Sequence, residues 1–225
     1  MPFIASVEGR FGYGTPPVGS TPAAGDIKVS GNGAANLTTT GMTSLAGVAG
    51  QDDFAAQMTV PFDFFFFGSN YGNNLNGGFW WCTNNVFVFG ASNATIGWVA
   101  NTGRGILIGN ADRRTNTLNY TSTIQTSSGY NYMNFVLSAQ NIYNDGVANA
   151  VRWQMRLFRS PTRQYVEIRA NTAPATGGAW NITNGTTFQN TYGAFTNVTA
   201  GSSFVLQSDG NGNNWQFFNN YNIPV

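Results

Sequence analysis

Oxygen-bearing side chains recur at every second position in Ser208-Asp209-Gly210-Asn211-Gly212-Asn213-Asn214. Asp209, Asn211 and Asn213 have the spacing of a loop that wraps a calcium ion, in which alternate residues aim oxygens at one centre. No bidentate Glu closes the segment where the helix-loop-helix calcium motif needs one, and Asn and Gly are the ordinary residues of turns. The first reading is a turn; calcium is the alternative, and no other cofactor is expected.

What is missing excludes most other chemistry. The chain has no histidine, which removes a His general base, a Ser-His-Asp or Cys-His site and His-ligated zinc. Its single cysteine, Cys82, excludes internal disulfides and Cys-cluster metal sites and reads as a buried thiol. The carboxylates are Glu8, Asp26, Asp52, Asp53, Asp63, Asp112, Asp145, Glu167 and Asp209. A glycosidase needs two of them facing one substrate. Asp52 and Asp53 are adjacent, so in a strand they point to opposite faces, and Glu167 sits among arginines. No catalytic or cofactor-binding residue is assigned, and the chain is read as a non-enzyme.

A formal net charge of +1 gives no electrostatic case for nucleic acid or an anionic membrane. Arg113-Arg114, beside Asp112, reads as a solvated loop. Sequons at Asn36, Asn93, Asn119, Asn181, Asn184 and Asn197 each carry Thr at the third position, and with about 29 Asn in the chain most of them are expected by chance. They are acceptors for glycosylation where a host provides it. Exposed tryptophans could stack on glycans. Trp80 and Trp81 must point to opposite sides of a strand, and burial of both is the preferred reading.

The positioning elements are strands. No stretch of a dozen residues keeps helical spacing, and Gly, Asn and Thr interrupt too often. Strand-like runs are Phe3–Tyr13, Ile27–Ser30, Phe54–Val60, Phe62–Phe67, Phe79–Cys82, Val86–Phe89, Ile96–Ala100, Gly105–Ile108, Leu118–Ile124, Tyr130–Leu137, Thr187–Asn190, Ser203–Gln207 and Trp215–Phe218. Thr83-Asn84-Asn85 reads as a hairpin connection. Val151 to Ala170 is the clearest hairpin. Its alternation places Arg156 opposite Glu167, Met155 opposite Ile168, Leu157 opposite Val166 and Arg159 opposite Gln164. One face is then apolar, and the other carries a cross-strand ion pair toward solvent.

These signals predict an all-β fold: a β-sandwich or jelly-roll-like pair of antiparallel sheets with an extended N-terminal arm. Residues 1–25 are expected to form the arm and its Gly/Pro-rich linker, and 26–225 a single sandwich domain. Nothing in residues 1–12 resembles a secretion leader, and no apolar run is long enough for membrane insertion. An extracellular protein of this sequence would have lost a leader earlier or would leave by lysis.

Pro61-Phe62-Asp63-Phe64-Phe65-Phe66-Phe67-Gly68, Tyr71 and Asn84-Asn85-Val86-Phe87-Val88-Phe89-Gly90 resemble a pattern of nidogen-like extracellular β domains, with Asn85 where that pattern has Gly. More of the chain, from Val7 to Phe188, resembles β-rich structural proteins of aquatic phages, algal viruses and environmental extracellular fibres. The likeness is carried by Val7-Glu-Gly-Arg-Phe-Gly-Tyr-Gly14, Gly105-Ile-Leu-Ile-Gly-Asn-Ala-Asp112, the 151–170 hairpin and Trp180-Asn-Ile-Thr-Asn-Gly185. It implies a virion or extracellular-fibre subunit.

Charged residues make up 8% of the chain, against about 25% in ordinary soluble domains. Low charge removes the repulsion and ion desolvation that oppose the meeting of many copies. The expected function is therefore a self-assembling structural subunit whose main partner is itself, in an extracellular filament or a virion-associated fibre or capsid structure. Phe3, Val7, Phe11 and Tyr13 of the arm are the expected joint, by strand exchange with a neighbour. The alternative is a carbohydrate-binding or adhesin module with glycan partners.

Overall fold

The computed structural model describes residues 30–31, 37–90, 104–110, 113–140, 151–172, 179–184, 200–213, 215–219 and 221–223. The arm, with Phe3, Val7, Phe11 and Tyr13, lies outside the described residues, as do the expected strands 96–100 and 187–190. The first half of the chain forms β1 (Ser30–Gly31), β2 (Thr43–Ser44), β3 (Ala55–Met58), β4 (Phe65–Phe66), β5 (Ser69–Asn70), β6 (Phe79–Cys82), β7 (Val86–Phe89) and β8 (Arg104–Asn110). The second half forms β9 (Thr115–Tyr120), β10 (Gln125–Ser127), β11 (Tyr130–Ala139), β12 (Val151–Arg159), β13 (Arg163–Thr172), β14 (Ala179–Asn184), β15 (Ser203–Asp209), β16 (Gln216–Asn219) and β17 (Tyr221–Asn222). The fold is all-β and sandwich-like, as the alternation predicts. Among the described residues no helix is long and apolar enough to cross a membrane.

Two antiparallel sheets face each other. The eight-stranded sheet runs β16-β15-β13-β12-β11-β9-β2, with β10 also paired to β11, and the five-stranded sheet runs β14-β8-β7-β6-β3. Period-2 alternation decides which residues meet between them. Trp153, Met155, Leu157, Val166 and Ile168 point inward from the larger sheet and are fully buried. Phe79, Trp81, Phe87 and Ile106 face them from the smaller sheet. Aromatic rings cross the interface: Phe87 lies 5.3 Å from Phe135 and 5.7 Å from Trp153, ring centre to ring centre. Such edge-on pairs add about 0.5–1.5 kcal/mol each to the area they bury.

The 151–170 hairpin has the register its alternation predicts, with Arg156 opposite Glu167, Met155 opposite Ile168, Leu157 opposite Val166 and Arg159 opposite Gln164. The Thr83-Asn84-Asn85 connection also forms, joining Trp81↔Phe87 and Cys82↔Val86. Asn85 takes φ 60° there, a left-handed conformation that Asn tolerates better than most residues.

The Phe-rich segment is extended but largely outside the ladders. Val60, Phe62, Phe64 and Phe66 are buried in alternation, yet only Phe65–Phe66 is a strand by pairing. Side chains replace the missing neighbour. Asn70 Oδ1 accepts from the Phe64 N–H at 3.0 Å. Gln164 Oε1 accepts from the Phe65 N–H at 2.6 Å, and Gln164 Nε2 donates to the Phe65 carbonyl at 2.9 Å.

Candidate functional site

The outer face of the eight-stranded sheet carries the one concentration of charge in the described interior. Alternation along β12 and β13 sends Arg156 and Phe158, and Tyr165, Glu167 and Arg169, away from the sandwich core. The Glu167 carboxylate is 0% exposed and Arg156 3% exposed. Arg156 Nε donates to Glu167 Oε2, and Arg169 Nε donates to Glu167 Oε1 at 3.0 Å. The Arg156 guanidinium also lies 5.2 Å from the centre of the Phe158 ring. Burial lowers the Arg169 pKa; Glu167 opposes that shift and Arg156 adds to it.

This corrects the expectation that the Arg156–Glu167 pair faces solvent. The chain returns over this face after β16. β17 pairs with β1, Ser30 opposite Asn222 and Gly31 opposite Tyr221. Ile223 then drops into a second apolar cluster with Tyr130, Phe158, Tyr165, Val205 and Phe218. A roof made by a distant segment converts a surface pair into a buried one.

Both backbone polar groups of Ile223 are bound by the charged set. Its N–H donates to Glu167 Oε1 at 2.6 Å. Its carbonyl accepts from Arg156 Nη2 and from Arg169 Nη2 at 3.0 Å. Charge-assisted bonds of this kind are about twice as strong as neutral ones. The arrangement is a cradle for one residue of extended backbone, with an aromatic seat for its side chain. Ile223 precedes Pro224, and a residue before proline is pushed toward extended conformations. The sequence signal for this cradle was Phe158 and Tyr165 on the same face as the charges: solvent-facing hairpin sides seldom carry such aromatics.

The other candidate residues are spread over the molecule. Asp209 Oδ1 accepts from the N–H groups of Asn211, at 2.9 Å, and Asn213, at 3.0 Å. That is the geometry of an Asx turn. The turn has a packing role, because Phe67 N–H donates to the Gly212 carbonyl at 2.8 Å. A Cβ on Gly212, at φ +69°, would stand 2.2 Å from the Phe65 carbonyl oxygen, so only glycine fits. Among the described residues no group of three or more His, Cys, Asp or Glu is placed to share a metal ion.

Trp80 and Trp81 face opposite ways as expected. Trp81 is in the sandwich core, whereas Trp80 is only half-buried, against the cluster of Cys82, Val86, Val88 and Leu107. Trp80 Nε1 donates to the Gly77 carbonyl at 2.8 Å. Trp153 and Trp215 are also buried, so none of these three indoles in the interior offers a face to a sugar. The Cys82 thiol is buried, and desolvation pushes its pKa up to about 12. Asp53 is exposed and Asp52 half-buried.

The Arg113-Arg114 pair is not a solvated loop. Arg113 is fully buried, its Nε donating to the Gly109 carbonyl at 2.8 Å. Arg114 Nε donates to the Gly50 carbonyl at 2.8 Å. Arg113 binds a carbonyl inside β8, at the residue its register against β14 skips, and Arg114 one in the turn before β3.

Among the sequons, Asn119 lies on β9 and is half-buried, and Asn184 ends β14 and is half-buried. Asn181 is opposite Leu107 in the β14–β8 ladder. Asn36, Asn93 and Asn197 lie outside the described residues.

No family model matches the chain, and neither the curated proteins nor the solved structures include a significant match.

Proposed function

We propose that this protein is a non-enzymatic structural subunit that assembles with copies of itself into an extracellular filament or a virion-associated fibre or capsid structure. The observation that carries this reading is where the few charges sit. Every described arginine is buried or half-buried, and the only charged side chains among the described residues that are exposed are Asp53 and Asp63. A surface of Asn, Gly, Ser and Thr lets copies meet without strong repulsion or loss of ion hydration.

The proposed joint is the N-terminal arm. Phe3, Val7, Phe11 and Tyr13 would seat in a neighbour while the arm backbone adds to one of its sheet edges. β1 begins four residues after the 1–25 segment and is paired to β17 in a ladder two residues long. The resemblance to phage and algal-virus structural proteins points to the same class of function. A glycan-binding module is the reading to beat.

Electron microscopy and sedimentation velocity of the purified protein test the proposal. Filaments or particles are expected. Deleting residues 1–14, or the milder Phe11→Asp, should leave the circular dichroism unchanged and yield monomers. A wild-type protein that stays monomeric at every concentration, or that binds glycans saturably as a monomer, overturns the reading.

A further inference from the structure

We infer that Arg104, held by Ser69 and Tyr71, is a binding site for an oxyanion: a carboxylate, phosphate or sulfate group that accepts two parallel bonds from one guanidinium. The site goes beyond the self-assembly reading and stands or falls separately from it.

Arg104 opens β8 and is half-buried. It lies opposite Phe89 of β7, and its side chain reaches the β4–β5 hairpin. One nitrogen makes all of its hydrogen bonds. Nη1 donates to Ser69 Oγ at 2.6 Å, to Tyr71 Oη at 3.0 Å and to the Phe66 carbonyl at 3.3 Å. Three acceptors on one nitrogen fix the plane of the guanidinium. Its other edge, Nε and Nη2, has no partner among the described residues. An edge of this kind grips a carboxylate or a phosphate through two parallel N–H bonds. The Ser69 and Tyr71 hydroxyls accept from Nη1, so each keeps its own hydrogen for donation.

The charge of Arg104 has no counter-ion among the described residues. Arg156 and Arg169 share Glu167. Asp63 accepts from Asn70 Nδ2 and acts electrostatically on Arg159. The three acceptors of Arg104 are neutral, so its full charge remains for a ligand. Arg114 and Arg152 are also held by neutral groups, but by one backbone carbonyl each, which leaves their planes free to turn. The surroundings of Arg104 are aromatic as well. Phe66 and Phe89 are buried with ring centres 4.2 Å apart, and the Tyr71 ring is 5.2 Å from Phe89. Apolar walls strengthen an ion pair that water would screen. A formal net charge of +1 puts no opposing field in the way of an anion.

Equilibrium dialysis of the full-length protein against radiolabelled inorganic phosphate and, separately, acetate reads the site, with ionic strength held constant by sodium chloride. Saturable binding of at least one of the two anions at a single site per chain is expected. The anion that binds more tightly tells whether the fork takes a tetrahedral or a planar group. Arg104→Gln should abolish the binding. Arg104→Lys keeps the charge but loses the fork, and should weaken it at least about tenfold, or 1.4 kcal/mol. Arg114→Gln removes a charge beyond the other end of β8 and should leave it unchanged. Absence of saturable binding of both anions, or binding that survives Arg104→Gln, overturns the site.

A milder variant covers failure of the Arg104 variants to fold. Tyr71→Phe keeps the ring in place and takes one acceptor from Nη1. With near-ultraviolet circular dichroism unchanged, weaker anion binding by Tyr71→Phe supports the site, and unchanged binding overturns it. Dialysis counts anions per chain whether the protein is a monomer or a filament, so failure here leaves the self-assembly reading standing, and a monomeric wild type leaves this site standing.

Discussion

Cutting the bond between Arg156 and Glu167 should cost far more than the loss of a surface ion pair. Glu167 is 0% exposed and serves three donors: Arg156, Arg169 and the Ile223 N–H. Glu167→Leu leaves two guanidinium groups and a backbone N–H without their acceptor, which should cost about 3–5 kcal/mol. Arg156→Met leaves Glu167 with two donors and removes a charge-assisted bond, worth about 1.5–3 kcal/mol. In the double variant neither the buried carboxylate nor the Arg156 guanidinium is left to be stranded. Arg169, at 15% exposure, can carry its head toward water. The double loss should therefore fall short of the sum by about 2–4 kcal/mol, the coupling energy of the pair. An exposed pair would give about 0.2–1 kcal/mol. Urea melts of the four chains, followed by tryptophan fluorescence at constant m, measure the difference. A coupling below about 1 kcal/mol would show that water reaches the pair, and the buried cradle would have to be abandoned.

Four further outcomes follow from the packing. Trp153→Ala should cost about 3–5 kcal/mol in the same melts, because the ring is fully buried and stacks edge-on against Phe87; a loss under about 0.5 kcal/mol would remove Trp153 from the core. Gln164→Ala should cost about 1–3 kcal/mol by stranding the Phe65 N–H and carbonyl, and hydrogen exchange at Phe65 should rise with it. Asp209→Ala should destabilise by about 1–3 kcal/mol equally in calcium and in chelator; a loss seen only with calcium would restore the metal reading of Asp209, Asn211 and Asn213. Cys82 should resist thiol reagents until the protein unfolds. Its folded pKa, about 12, lies above the ordinary thiol value of 9.0, so its contribution is complete below pH 9 and is lost as pH rises toward 12. The stability advantage of wild type over Cys82→Ala should shrink across that window.

Local patterning was enough wherever both partners of a contact lie close in sequence. The 151–170 hairpin could be registered from its own alternation, and the Trp81↔Phe87 pairing from a three-residue connection between two aromatic runs. It failed where the partner is remote. Nothing between Val151 and Ala170 says that Ile223 will close over Arg156 and Glu167, so the pair reads as solvent-facing. The run Phe62–Phe67 alternates as a strand does, yet the N–H groups of Phe64 and Phe65 and the Phe65 carbonyl are bound by the side chains of Asn70 and Gln164. Arg113-Arg114 looks like a surface pair because the carbonyls it binds, at Gly109 and Gly50, are made available only by the fold. β14 escaped notice for a different reason. Asn181 and Asn184 are poor strand formers, and among the described residues β14 is paired on one side only, to β8.

The misreadings of Arg156–Glu167 and Arg113-Arg114 share a physical cause. A sandwich whose sheets are joined by many irregular connections has many carbonyls outside its ladders, and buried carbonyls need donors. In this chain arginine supplies them. Arg104 reaches the Phe66 carbonyl at 3.3 Å, Arg114 that of Gly50 at 2.8 Å, and Arg152 that of Leu37 at 3.0 Å. Arg156 and Arg169 reach that of Ile223. The planar five-donor fork can serve several oxygens from a half-buried position, which an ammonium does less well. Positive charge is thereby drawn into the connections and away from the surface, where it would keep copies apart. A bond from guanidinium to backbone carbonyl thus takes the place here that a neighbouring strand takes in the ladders.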